Sequence, residues 1–153
     1  MTDPSPDPID DGAMLELMQA AFRGVPIHDL VGIDLKEVGG GRAVVEIPLE
    51  GGALSSFGTL HGGAVGVLVD VVSAAAASTS PALDHGSSTL VTSDLHVRYL
   101  GRAKGERVRA EARVVKAGRA LVVIDTEVVD STGTLVATAD VAMSIVPHRG
   151  SGA

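Results

Sequence analysis

The stretch from Leu60 to Ser78 constrains this chain more than any other, because it is apolar on nearly every side and yet carries one charge, Asp70. Val65, Val67, Val69, Val71 and Val72 are β-branched and favour a strand, whereas the alanine run Ala74 to Ala77 favours a helix. Length decides for the helix, since strands seldom run beyond about ten residues. A helix apolar all round cannot lie on a surface; the rest of the chain has to enclose it.

The flanking sequence supplies an enclosure. Runs at about Ile33 to Val38 and Ala43 to Leu49 read as two strands joined by Gly39-Gly40-Gly41, where missing side chains permit the positive φ of a tight turn. After Pro81 come alternating runs at about Ser88 to Leu100, Glu106 to Ala117, Ala120 to Val129 and Leu135 to Pro147. In the second, Val108, Ala110, Ala112 and Val114 face one way and Arg107, Arg109, Glu111 and Arg113 the other, the pattern of a half-buried antiparallel strand. Met14, Leu17, Met18 and Ala21 fall at helical spacing within Ala13 to Phe22, so a short helix precedes the strands and stops near Gly24 and Pro26. The fold class is α+β, with an antiparallel sheet of five to six strands around one long central helix plus a short N-terminal helix. Residues 13–147 form one domain, while 1–12, rich in Pro and Asp, and 148–153 read as tails.

Of 153 residues, 45% are apolar but only Phe22, Phe57 and Tyr99 are aromatic, so the core is built from Val, Leu, Ile and Ala. With no cysteine, disulfides, thiolate metal sites and cysteine nucleophiles are excluded. No metal or redox cofactor is expected. The net charge of −7 argues against nucleic acid as partner, because phosphate binding needs a basic surface. The longest apolar run, Ala64 to Val72, is interrupted by Asp70 and far short of a membrane span, and no basic segment leads into an apolar one at the N-terminus. The expectation is a soluble, cytoplasmic protein with no membrane partner. Charge is uneven, however: residues 98–119 hold eight of the twelve Lys and Arg, a local patch suited to a phosphorylated ligand.

Asp70 is the only Asp, Glu, Lys or Arg from Phe57 to Leu83. An ionised carboxylate in such surroundings costs several kcal/mol unless it is paired or wetted, so it needs a reason. Catalysis is one; capping a loop or pairing with an arginine across an interface is another. His61-Gly62-Gly63 stands where loop becomes helix, with Thr59 or Gly58 near the N-cap. Bare glycines there leave backbone N–H groups open, at the positive end of the helix dipole, to an oxygen developing negative charge. His61 and Asp70 are nine residues apart, roughly 13 Å along a helix, too far to act on one atom from one copy. Two such helices antiparallel across a two-fold axis would bring the Gly62 end of one to Asp70 of the other.

Gly58-Thr59-Leu60-His61-Gly62-Gly63 followed by Leu68-Val69-Asp70 resembles the helix signature of hotdog-fold acyl-CoA thioesterases of the phenylacetate-degradation type. The likeness runs over about residues 30–147, through Val91 to Tyr99, Gly105, Gly118-Arg119 and Gly133-Thr134-Leu135-Val136-Ala137. It implies hydrolysis of an acyl-CoA, with an aryl or medium-chain acyl group, to free acid and CoA. Asp70 then matches the carboxylate that activates water or attacks the thioester, Gly62 the N–H donor from the other subunit, and His61 the residue orienting that turn. Some relatives place an Asn where Ser55 stands and a Ser where Thr92 stands; both positions keep only a hydroxyl here. The family's usual assembly, a tetramer made of two dimers, is implied too. Gly63 and Ser73 are further candidates for contact with the substrate, Ser56 for an alternative donor in place of that Asn, and Arg98, Arg102, Lys104 and Arg119 for the phosphates of coenzyme A.

Two rivals share these residues. A non-catalytic hotdog module would bind acyl-CoA without cleaving it, and a hydratase or dehydratase of acyl thioesters would use a His and a carboxylate together. On the run from Ser88 to Leu100, Thr92, Asp94, His96 and Arg98 alternate onto one face, so Asp94 and His96 are available as a pair, although a solvated or subunit-facing surface explains them as well.

Overall fold

The computed structural model describes residues 10–148. Helix α1 (Asp11–Phe22) opens on Asp10, whose side chain accepts from the N–H groups of Gly12 and Ala13 and so satisfies donors the helix cannot. The expected tail therefore gives way to the N-cap Asp10 and to helix at its last two positions, and its remainder lies outside the described residues, as do 149–153. His148, also read as tail, donates its N–H to the Ser87 carbonyl at 2.8 Å. A second helix absent from the sequence reading, α2 (Pro26–Val31), starts on Pro26 and ends at Gly32 with φ of 75°. Gly24 and Pro26 look like a stop, but proline at the first helical position is also a start.

Strands β1 (Asp34–Gly39) and β2 (Arg42–Pro48) form the hairpin, with Gly39, Gly40 and Gly41 all at positive φ. A one-turn 3-10 helix (Gly51–Ala53) leads to α3 (Gly62–Ser78), and β3 (Ser88–Tyr99), β4 (Arg107–Ala117), β5 (Leu121–Asp130) and β6 (Leu135–Pro147) follow. One antiparallel sheet results, in the order β1-β2-β4-β5-β6-β3. The longest neighbour-free edge belongs to β3, at twelve residues.

Register shifts in the β1–β2, β3–β6, β4–β5 and β5–β6 pairs bend the sheet, and α3 packs against all six strands. Small inward side chains, among them Ala43, Ala110, Ala112 and Ala137, let the helix come close, and Val65, Leu68, Val69 and Val72 fill the space. Each such side chain contributes roughly 1.5–3 kcal/mol by leaving water. The enclosure is incomplete: Gly62 and Gly63 are exposed and Gly66, Val67, Asp70 and Ala74 only half-buried. The apolar helix thus presents one stripe to the outside of the protomer, with Asp70 on it. Among the described residues no helix is long and apolar enough to cross a membrane.

Candidate active site

The stripe on α3 runs Gly62, Gly66, Asp70, Ala74, Ser78, one residue in four, so all lie roughly on one side. Asp70 sits midway. Its Oδ1 accepts from the Thr92 hydroxyl at 2.7 Å, and no arginine or lysine pairs with it among the described residues. Neither a loop cap nor an ion pair within the protomer explains it.

Thr92 reaches Asp70 because of a bulge. The β3–β6 register passes from Thr92 opposite Met143 to Asp94 opposite Ala142, leaving Ser93 unpaired. Thr92 shares the helix-side face with Met143, whereas Asp94, His96 and Arg98 are turned outward with Asp140 and Thr138. The expectation of one common face for these four residues fails for that reason. His96 and Asp94 form no acid/base pair: Arg98 binds Asp140 at 2.7 Å, with His96 Nδ1 4.0 Å from the same carboxylate. The Ser93 hydroxyl bonds Ser144 at 2.7 Å and stabilises the bulge.

From Asp70 an apolar groove of about 370 Å³ follows α3 toward Ser78. Val71 and Ala74 floor it, Met18 and Phe22 of α1 form one wall, and Leu90 of β3 the other. His28, packed at a tilt of 54° against Phe22 with ring centroids 4.8 Å apart, and His85, whose Nε2 meets the Ser78 carbonyl at 2.8 Å, also line it. Among the described residues Asp70 is the only carboxylate on its lining.

At the start of α3 the N-cap is His61, not Thr59 or Gly58: its Nδ1 accepts the Gly63 N–H at 2.8 Å, which requires the ring proton on Nε2. The Tyr99 hydroxyl donates to the Gly62 carbonyl at 2.9 Å, pinning the same turn from β3. Tyr99 escapes sequence reasoning, although it is the only tyrosine in the chain. The Gly62 N–H has no acceptor among the described residues and lies on the exposed stripe. Gly62 and Asp70 are eight residues apart on one helix, about 12 Å.

The remaining candidates divide. Ser55 Oγ pairs with Thr59 Oγ1 at 3.0 Å and accepts the Phe57 N–H at 3.3 Å, and Ser56 is exposed in the same turn. Ser73 is not in the groove: it is fully buried and bonds Thr126 of β5 at 2.9 Å, because its helical phase turns it to the sheet. Nor do the four basic residues gather. Arg98 is tied to Asp140, Arg102 and Lys104 lie in the β3–β4 loop, and Arg119 sits in the β4–β5 turn at the far end of β4, some 30 Å away at about 3.3 Å per residue.

A curled antiparallel sheet around one long helix is the hotdog fold. A family model described as the thioesterase superfamily matches residues 57–137, from the turn ahead of Gly62 to β6. Human acyl-coenzyme A thioesterase 13 is 28% identical over 128 residues, 82% of this chain and 89% of that one. The structure of a mutant of the Pseudomonas aeruginosa thioesterase PA1618 matches with a TM-score of 0.80 at 27% identity, over 87% of this chain and 94% of its own. The Escherichia coli PaaI protein from the phenylacetic acid degradation operon shares the fold, with a TM-score of 0.74 at 22% identity over 87% and 93% of the two chains. This chain belongs to the thioesterase superfamily and is a thioester hydrolase.

Proposed function

We propose that the protein hydrolyses an acyl-CoA to a free acid and coenzyme A, in an isologous dimer whose two sites each combine Gly62 of one protomer with Asp70 of the other. The observation that carries this reading is Asp70, held by Thr92 on the lining of an apolar groove, with no lysine or arginine paired to it among the described residues. The acyl group lies in the groove and places its carbonyl at Asp70. As general base, Asp70 takes a proton from water as the oxygen attacks the thioester carbon. The Gly62 N–H, at the positive end of α3, stabilises the oxygen that becomes negative. Collapse breaks the C–S bond, and the departing thiolate takes up a proton. Attack by the carboxylate itself, through an anhydride that water then opens, uses the same geometry.

The two-fold pairing follows from distance, since one helix cannot bring its own Gly62 to its own Asp70. Gly62 and Gly66 leave the stripe bare enough for a second helix to approach, and the unpaired edge of β3, with Val91 and Tyr99 exposed, lies beside it. A dimer of dimers, as in the resembling family, is the assembly we expect.

The test is a panel of short, medium and aromatic acyl-CoAs with release of free thiol as readout. Wild type cleaves at least one member, and Asp70→Asn lowers kcat by about 10²–10⁴-fold while folding normally. Ser55, with a short hydroxyl engaged by Thr59, gives the non-catalytic reading its footing. If wild type and Asp70→Asn both bind CoA esters and neither cleaves any, the protein is an acyl-CoA-binding module instead.

A further inference from the structure

Two of the three aromatic side chains already border the site: Phe22 walls the groove and Tyr99 holds Gly62. The third, Phe57, is 86% exposed, the highest value of any large apolar side chain among the described residues. Its loop is not loose. Leu54 and Leu60 pair as an antiparallel bridge, the Ser55 N–H donates to the Thr59 carbonyl at 2.7 Å, and the Gly58 N–H donates to the Ser55 carbonyl at 2.9 Å. Gly58 turns the chain at φ of 68°. The ring is therefore held out in water by a built turn that ends four residues before Gly62.

In an antiparallel pair of α3 helices with Gly62 of one opposite Asp70 of the other, the residues ahead of Gly62 fall opposite those that follow Asp70. Those are Ala74 and Ser78, on the floor of the groove and its open side. We infer that the partner's Phe57 roofs this groove, so that each acyl subsite has its floor and walls from one protomer and an aromatic lid from the other. The inference rests on the dimeric hydrolase reading above and adds the residue that sets acyl selectivity. From Asp70 to Ser78 the groove follows eight residues of helix, about 12 Å, which a medium-chain or aryl group occupies and an acetyl group does not. An apolar ring over that length removes water from the distal part of the acyl group, and selectivity for longer or aromatic groups follows.

Acetyl-, octanoyl- and phenylacetyl-CoA are the probes, with wild type, Phe57→Ala and Phe57→Leu. Phe57→Ala should lower kcat/KM for the octanoyl and phenylacetyl esters about tenfold, chiefly through KM, with a much smaller loss for acetyl. Phe57→Leu should recover octanoyl more than phenylacetyl. A purified heterodimer of a Phe57→Ala subunit with an Asp70→Asn subunit shows which copy supplies the lid. Its one working site joins an intact Phe57 to an intact Asp70, so it should keep the wild-type preference. Equal losses across the panel, or a heterodimer with the Phe57→Ala preference, overturns the inference while leaving the hydrolase intact. A wild type that cleaves no probe overturns the hydrolase reading and the lid with it.

Discussion

Asp70 is held by a single hydroxyl, and that hydroxyl sets where its oxygens point. Thr92 Oγ1 donates to Oδ1, leaving Oδ2 without a hydrogen-bond partner among the described residues. Thr92→Val keeps the shape and removes the donor; kcat should fall roughly tenfold with KM nearly unchanged, and Thr92→Ser should restore it, as steady-state kinetics on a cleaved ester will show. Unchanged kcat in Thr92→Val would mean that the hydrogen bond is incidental. As candidates, Asp70, Gly62 and His61 are legible in the sequence because one contiguous segment carries them, so that helical spacing alone relates them. Ser73 stands three residues from Asp70, so spacing alone leaves its direction open, and its packing against Thr126 turns it to the sheet.

At the level of elements, α3 and the strands follow from period and length, and the departures come from single residues. Ser93 bulges out of β3 and shifts the alternation that had put Thr92 with Asp94 and His96; a bulge leaves no mark in a pattern of apolar and polar residues. Pro26 begins a helix, although in sequence it looks equally like a stop. The start of α3 is held twice, by the His61 cap and by Tyr99. His61→Ala removes the cap and should lower stability by about 1 kcal/mol, measured by urea unfolding, and lower kcat as well because the Gly62 N–H loses its aim. Unchanged stability and kcat would show that Tyr99 alone fixes the turn.

Across the whole molecule, the outer face of the sheet carries an ion-pair network that responds to acid. Hydrogen bonding to Arg42 holds the Glu111 carboxyl down at about 2 against the opposing effect of burial, and Arg113 adds to it. Burial raises the pKa of Asp130, but the Thr132 hydroxyl and the N–H groups of Thr134, Lys104 and Thr132 outweigh it and hold the group below the usual carboxylate range. Both carboxyls are depressed in the folded state, so their stabilisation is present above their ordinary values of 4.5 and 3.8 and is lost as pH falls through the folded ones. Thermal unfolding should be flat from neutral pH to about 5 and drop steeply between about 4.5 and 2; Glu111→Gln should lower Tm at pH 7 and flatten part of that drop. A Tm independent of pH down to 2 would contradict it. The basic residues show the opposite limit of sequence reading, because Arg102 and Arg119 are close in the chain and at opposite ends of β4.

The composite site is tested most directly by mixing two inactive proteins. Gly62→Pro removes the N–H donor at the first helical position, where proline is tolerated and where His61, at ψ of 133°, already has the extended backbone that proline requires of its predecessor. Asp70→Asn removes the carboxylate. Dissociated and re-associated in equal amounts, the two should recover about one quarter of wild-type activity, since half of the dimers are then mixed and each of those has one intact site. A mixture no more active than its parents would show that Gly62 and Asp70 do not act across a two-fold axis.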